Sequence, residues 1–279
     1  MGEPWLLIDV SNMAHRALYT TGELSHEGDP TGVLYGIFRD VVDFSELFAT
    51  DRIAFCFDGG YDGRLAIFPE YKAARQIKRR EMDEFEREAR RRLRSQIYRL
   101  RNGLLADAGF CNVFWQEGYE ADDVMAWLCK EYQDNEFVIV CTDQDLWQCL
   151  DGERVTQWNP ITKRPITQQS FEGQFGIAPS MWSHVKAIAG CDGDGVPGIR
   201  GIGEKTAAKY LNGSLKMTSK AFQSIRLEPD MVERNLKLVQ LPFPGCGPFQ
   251  LVDGGADVRM WDRVMGSLGM KSLMGRRLR

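Results

Sequence analysis

The sequence predicts an α/β domain built on a central, mostly parallel sheet, followed by a smaller helical module. Three observations predict it. Short apolar runs of strand length recur at Trp5–Val10, Ile53–Phe57 and Phe137–Cys141. Longer stretches with apolar residues at helical spacing separate them. Each run contains, or is closely followed by, an aspartate, so the strand ends carry acid. Apolar runs without polar alternation suit strands buried on both faces, as in a parallel sheet covered by helices.

Trp5–Val10 (WLLIDV) is the first strand and delivers Asp9. Residues 33–48 follow as a helix, with Val33, Ile37, Val41 and Phe44 on one face. Ile53–Phe57 is the second strand and leads into Asp58. Residues 81–105 read as one long helix with an apolar stripe of Met82, Phe85, Ala89, Leu93, Ile97, Leu100 and Leu104. Glu86–Arg90 and Glu88–Arg92 form i,i+4 pairs on its other side. A helix over Asp122–Glu131 leads to the third strand, Phe137–Cys141, with Asp143 and Asp145 just beyond. A break at Asn159–Pro165 places the domain boundary after residue 165. Residues 1–165 are then the α/β domain, and residues 166–279 the helical module. The tail beyond Pro242 is rich in glycine and proline and basic at its end, which leaves its order open.

Composition excludes several classes. Of 279 residues, 43% are hydrophobic and 27% charged, as in ordinary soluble domains. No apolar run approaches the roughly 20 residues that span a bilayer. The first ten residues lack the layout of a signal peptide, so a cytoplasmic setting is expected. Seven cysteines without a CxxC pair fit reduced thiols better than disulfides or a zinc site. The three histidines have no ligand spacing, so a metal here would be held by oxygen. The net charge of −4 speaks against a nucleic-acid partner, but its distribution does not. Arg64 to Arg101 holds thirteen Lys or Arg against six Asp or Glu, a net +7, beside an acidic pocket. Alone, that basic run would be read as a solvated helix face.

The acids carry the chemistry. Asp9, Asp58, Asp143 and Asp145 lie at the carboxyl ends of three strands, where open α/β sheets bind ligands. Glu120, Asp122 and Asp123 add a fourth source at a helix start. Any one acid there is equally well explained as a cap or as a partner of the helix dipole. Four sources converging on one edge are not. So many anions share a pocket only with cations to neutralise them. Oxygen-only ligands imply Mg²⁺ or Mn²⁺. Two such ions about 4 Å apart activate a water and stabilise the leaving oxygen in phosphodiester hydrolysis. Further on, Gly198-Ile199-Arg200-Gly201-Ile202-Gly203 lets backbone approach a phosphate, and the helix from Glu204 points its N–H groups there. Lys205 and Lys209 add charge. The GxxxxGK[ST] order of a phosphate-loop ATPase is absent, which disfavours a nucleotide site.

The ordered set IDVSN at Asp9, FDG at Asp58, PEYKAAR at 69–75, YEADD at 119–123, CTDQDL at 141–146 and GVPGIRGIGEKTA at 195–207 resembles the 5′ nucleases of bacteriophages and of bacterial DNA polymerases, relatives of the flap endonucleases. A weaker echo covers Asn235–Leu241, so the resemblance runs from about residue 5 to 241. It implies a PIN-like nuclease fold, then a helix–three-turn–helix at about 184–211 that grips duplex DNA. By position, Asp9, Asp58, Glu120 and Asp122 would build a first Mg²⁺ site, with Asp123 in the same cluster. Asp143, Asp145 and Asp194 would build the second. Lys72 and Arg75 would sit over the scissile phosphate and stabilise its transition-state charge. Tyr71 either stacks on the terminal base or is an ordinary half-buried aromatic. Gly198, Gly201, Ile202, Gly203, Lys205, Thr206 and Lys209 would meet the DNA backbone, with K⁺ as a further ion at that turn. The helix at 81–105 would flank the single-stranded 5′ end. The implied activity is 5′→3′ exonuclease and flap endonuclease, by a monomer acting as a separate chain. Its substrates would be 5′-flapped, nicked or 5′-ended DNA and RNA–DNA hybrids, in phage replication, primer removal or host DNA degradation.

One departure stands out. The family pattern Gly-Asp-x-x-Asp is here Gly190-Cys191-Asp192-Gly193-Asp194. A thiol is a poor Mg²⁺ ligand. Glycines at 190, 193 and 195 predict an extended path, with Asp192 and Asp194 on one face reaching the metal and Cys191 a small buried filler. Two rivals remain: a ribonuclease of the same fold, and a non-catalytic DNA-binding homologue with a decayed metal site.

Overall fold

The computed structural model describes residues 2–276 and Leu278. Arg277 and Arg279, part of the basic end noted above, lie outside the described residues. In chain order the elements begin with β1 (Trp5–Asp9), α1 (Val10–Thr20), β2 (Ser25–His26), β3 (Asp29–Pro30), α2 (Gly32–Phe48) and β4 (Ile53–Cys56). Next come α3 (Asp62–Ile67), α4 (Ala73–Glu81), α5 (Glu84–Arg99), α6 (Leu105–Asp107), β5 (Val113–Phe114), α7 (Ala121–Glu131) and β6 (Phe137–Val140). The remainder is β7 (Val155–Asn159), β8 (Arg164–Ile166), α8 (Gln168–Phe175), α9 (Trp182–Ala189), α10 (Glu204–Leu211), α11 (Lys220–Arg226), α12 (Pro229–Val239) and α13 (Val258–Ser267).

The main sheet has the order β5-β4-β1-β6-β7-β8, parallel except where β8 turns back antiparallel on β7. Its central strands show why they are apolar throughout. Leu6 and Ile8, Ile53 and Phe55, and Val138 and Val140 enter one core. Trp5 and Leu7, Ala54 and Cys56, and Phe137 and Ile139 enter the core on the other face. Successive side chains alternate faces, so a strand covered on both sides has no polar position to offer. All three predicted strands are present in this arrangement.

Three expectations are corrected. The single helix over 81–105 is three pieces, because Met82 leaves α4 in an extended conformation and a π-helical turn at Leu100–Leu104 separates α5 from α6. Asp83 starts α5 with a capping box, so Glu86 bonds the Asp83 N–H, while Glu88 pairs with Arg91 and Arg92. The first part of the apolar stripe is uncovered: Leu93 and Leu100 are buried, but Phe85 is 77% exposed. Secondly, the break at 159–165 is a hairpin inside the sheet, closed by the Trp158–Pro165 pairing. Thirdly, the tail does not stay with the helical module. Trp261, Val264 and Met265 of α13 join the core under α2, with Trp261 edge-on to Phe38 at 5.3 Å. Asn112 holds the connecting segment through a two-way bond with Val252. The helical module is therefore α8–α12, packed around Phe171, Phe175, Trp182, Val185 and Ile188.

Among the described residues, no helix is long and apolar enough to cross a membrane.

Candidate active site

The site forms where β1, β4 and β6 end. Asp9 closes β1 and caps α1 by accepting the Asn12 N–H at 2.9 Å. Asp58, two residues past β4, accepts the Ser11 hydroxyl at 2.6 Å and the Ala121 N–H at 3.0 Å. Its position is thus tied to the start of both α1 and α7. Asn12 also donates to Thr142 at 2.7 Å, linking the first strand end to the loop bearing Asp143 and Asp145. The Asp143 carboxylate accepts the Asp145 N–H at 2.8 Å and starts a 3₁₀ turn over Asp145–Cys149.

These anions repel one another. Burial, then Asp58 and Asp143, pushes Asp9 up to about 7. Burial, then Asp143 and Asp9, holds Asp122 well above the usual carboxylate range. Burial and Asp143 push Asp145 to about 6 against the pull of Lys186. As they stand, no three acid, thiol or imidazole groups close to metal-ligating geometry among the described residues. The donors nevertheless fit a hard divalent cation: they are oxygens from separate chain segments, and burial with mutual repulsion raises the pKa of Asp9, Asp122 and Asp145.

A second part of the pocket carries its own cations. Glu120 pairs with the Lys72 ammonium and accepts the Tyr71 hydroxyl at 2.8 Å. Asp194 meets Arg75 at 2.6 Å, Lys72 at 3.5 Å and the Tyr71 hydroxyl at 3.0 Å. Burial works against the Lys72 charge, but Glu120 and Asp194 outweigh it and raise its pKa. The Lys72 backbone is left-handed (φ 57°) and its N–H donates to the Asp194 carbonyl at 2.7 Å, so α4 is anchored to the turn that bears Asp194. Asp145, Asp143, Asp192 and Asp194 line a cavity of about 500 Å³ together with Arg75, Lys186 and Glu204.

Several site residues land elsewhere than expected. Asp123 is fully buried, and both its oxygens are taken by Arg64 at 2.6 and 2.8 Å and by the Glu120 and Phe243 N–H groups. It is a structural partner with no lone pair turned to the pocket. Tyr71 is buried with its hydroxyl shared between two acids, so its ring has no open face for a base. Asp192 and Asp194 lie in a 3₁₀ turn, not an extended stretch, which turns them apart; Asp192 is exposed at the cavity rim. Cys191 is buried beside Ala187, Val196 and Leu238. The Ile202 side chain belongs to the core of the helical module. Lys205 and Lys209 are exposed on α10, and Thr206 is half-buried between them. A side chain at Gly201 or Gly203 would meet open space. Gly198 is different: a Cβ there would lie 1.9 Å from the Ala189 carbonyl, so it is needed for the chain crossing.

Sequence reasoning missed Lys186, which lies 3.2 Å from Asp145 and 3.1 Å from Glu204. It also missed Arg64, Ser11, Asn12 and Thr142. The proximity of Ser11 and Asn12 to Asp9 in IDVSN was a usable signal for a cap; Lys186 and Arg64 had none.

Comparison with known proteins places the chain in a family. A family model described as the 5′-3′ exonuclease, N-terminal resolvase-like domain matches residues 4–176. The 5′-3′ exonuclease of Mycoplasmopsis pulmonis is 30% identical over 225 residues, 80% of this chain and 70% of that protein. The thermostable DNA polymerase I of Thermus thermophilus is 31% identical over 238 residues, 83% of this chain and 26% of the polymerase. The chain spans about a quarter of the length of the polymerases it matches. Among solved structures, bacteriophage T5 5′-exonuclease with bound zinc aligns with a TM-score of 0.73 at 21% identity, over 86% of this chain and 89% of that one. The T5 D15 flap endonuclease in complex with DNA and metal ions aligns with the same TM-score at 19% identity, over 97% and 95%. These likenesses establish the mixed α/β, PIN-like fold, and the extent of the family match establishes that the chain belongs to the 5′-3′ exonuclease, N-terminal resolvase-like domain family.

Proposed function

We propose that the chain is a divalent-metal-dependent 5′ nuclease that hydrolyses phosphodiester bonds near the 5′ end of DNA, both as a 5′→3′ exonuclease and as a flap endonuclease. The observation that carries this reading is the convergence of Asp9, Asp58, Asp122 and Asp143 at one sheet edge with no ion pair among the described residues, beside Lys72 and Arg75. Asp9, Asp58, Glu120 and Asp122 would hold one Mg²⁺, and Asp143, Asp145 and Asp194, with Asp192 at the rim, a second; Mn²⁺ would substitute. Bound there, such ions supply a hydroxide-like nucleophile and charge stabilisation for the leaving oxygen.

The chain's own groups do the rest. Lys72, held between Glu120 and Asp194, and Arg75, held by Asp194, present positive charge beside the acids, where a phosphate's negative charge increases during the reaction. Tyr71 fixes Glu120 and Asp194 from behind. On the helical module, the N-terminus of α10 with the open glycines 201 and 203, Lys205, Thr206 and Lys209 would take the phosphates of the duplex, with Gly198 and Ile202 shaping the turn and K⁺ as its ion. The T5 and Rad2 structures with DNA support a DNA substrate. RNA–DNA hybrids are a further substrate in this reading, and the enzyme works as a cytoplasmic monomer.

The test is cleavage of end-labelled 5′-flap duplexes, with DNA or RNA flaps, in Mg²⁺ and in EDTA. Mg²⁺-dependent release of short 5′ products from the DNA flap is expected, with circular single strands left intact. Binding without cleavage would mark a non-catalytic homologue, and preference for the RNA flap a ribonuclease.

A further inference from the structure

A buried amide sits behind the acidic loop. Gln157 occupies the middle of β7, paired with Ile139 of β6 and Ile166 of β8, and is 1% exposed. An interior position between two paired strands is one where an apolar side chain packs without polar cost. A buried amide is costly unless its hydrogen bonds are made. Here the Gln157 Nε2 donates to the Asp143 carbonyl at 2.8 Å and to the Cys141 carbonyl at 3.1 Å, with the Cys141 sulfur also at 3.1 Å. Two carbonyl oxygens cannot donate, so the nitrogen must face them and the amide orientation is settled by chemistry. The Oε1 atom has no hydrogen-bond partner among the described residues. Among the described residues, every hydrogen bond of the Gln157 side chain therefore runs from Nε2 to one short segment.

That segment is Cys141–Asp145. After β6 ends at Val140, one further backbone bond, from the Cys141 N–H to the Trp158 carbonyl at 3.3 Å, ties the chain to β7 before it leaves the sheet. Gln157 turns the carbonyls of residues 141 and 143 inward. The Asp143 side chain is then exposed, and its carboxylate bonds the Asp145 N–H at 2.8 Å to begin the 3₁₀ turn. At the far end, Gln148 donates to the Asp145 carbonyl at 2.7 Å and to the Val239 carbonyl at 3.1 Å. Metal-site carboxylates repel each other and drift apart unless their backbone is held, which is the task of groups behind the ligands.

We propose that Gln157 is a positioning residue that clamps the Cys141–Asp145 backbone and thereby holds Asp143 and Asp145 toward the metal pocket. The proposal rests on the metal-dependent reading above, and its test therefore uses readouts that need no turnover. Mn²⁺ binding to the whole chain is followed by the loss of the free-ion paramagnetic signal, and loop order by hydrogen exchange at the Asp145 amide. Gln157→Met, of similar length but with no donor, should weaken Mn²⁺ binding about 10-fold, the lower end for removal of such supports. It should also speed exchange at Asp145 more than at β6 and β7 amides. Gln157→Glu, which sets an acceptor against two carbonyls, should be worse than Met. Gln157→Asn keeps the amide but reaches one carbonyl only, and should lie between wild type and Met. It also serves if Met fails to fold. Where Mn²⁺ affinity and Asp145 exchange stay at wild-type values in a folded variant, or exchange rises uniformly through the sheet, Gln157 is a packing residue and the proposal falls. A wild-type chain that binds no Mn²⁺ overturns the nuclease reading instead, and the Asp145 exchange rates still decide the clamp.

Discussion

The acidic pocket has two parts that differ in how their charge is met. Asp9, Asp58, Asp122 and Asp143 have no ion pair among the described residues, and burial with mutual repulsion raises the pKa of Asp9 and Asp122. Glu120, Asp145 and Asp194 are paired with Lys72, Lys186 and Arg75. The first set requires positive charge from solution. The second uses its acids to place the chain's own cations. One pocket thus contains carboxylates without ion-pair partners beside a scaffold for Lys72 and Arg75, and acid count alone does not separate them.

Substitutions that move a residue between the two sets test the division. The largest effect is expected from Asp143→Asn in the unpaired set. Cleavage should fall by about 10³-fold, the several kcal/mol that a metal-assisted step depends on. Flap affinity, carried mainly by Lys and Arg contacts to phosphate, should hold in a gel-shift measurement; retained turnover would remove Asp143 from the chemistry. Next is the acid outside both sets. Asp123→Ala removes the two-point partner of the buried Arg64, leaving it only Glu120 at 3.6 Å among its acids, and should cost about 3 kcal/mol of stability in urea unfolding. If its main effect is on Mg²⁺ affinity in a stable protein, Asp123 is a ligand after all. In the paired set, Lys72→Ala should lower kcat about 10²-fold, the range for removing one preorganised charge-stabilising group, with little change in KM. An effect on KM alone would make Lys72 a docking group.

A thermal measurement probes Asp9 of the unpaired set without activity. Burial and the neighbouring acids raise the folded-state pKa of Asp9 to about 7, against roughly 3.9 for a free aspartate. A carboxyl raised on folding binds its proton more tightly in the folded state. The metal-free protein should therefore lose stability as pH rises between about 4 and 7. Mg²⁺ neutralises the same group, so it should raise Tm by more at pH 8 than at pH 5.5, by a few degrees. Equal shifts at both pH values would contradict the unpaired assignment. The smallest effect is expected at the family departure. Asp192 is exposed at the rim, so Asp192→Ala should raise the Mg²⁺ concentration for half-maximal cleavage only about 2–3-fold if it acts through water. A loss as large as that of Asp143→Asn would place Asp192 among the direct ligands.

Much of this site is legible in the order of the amino acids. Asp9, Asp58 and Asp143 follow apolar runs, and runs buried on both faces end at the edge where ligands bind. The fold class follows from the same runs. The failures share a cause. Asp122 and Asp123 are adjacent, yet on α7 they point about 100° apart, and Asp123 meets Arg64, 59 positions away. The stripe from Met82 to Leu104 has helical spacing, but spacing does not say whether anything covers it, and Phe85 is exposed.

By itself the sequence determined the three central strands, their order along the chain and the acids at their ends, because these depend on side-chain periodicity and on contacts within a few residues. The tertiary structure alone decided which acids stand unpaired, that Lys186 and Arg64 meet Asp145 and Asp123, that Gln157 backs the Asp143 loop, and that Trp261 returns the tail to the nuclease core. Most of these need a partner dozens of residues distant. Charge compensation and burial are properties of the assembled neighbourhood, and no local pattern encodes the neighbour.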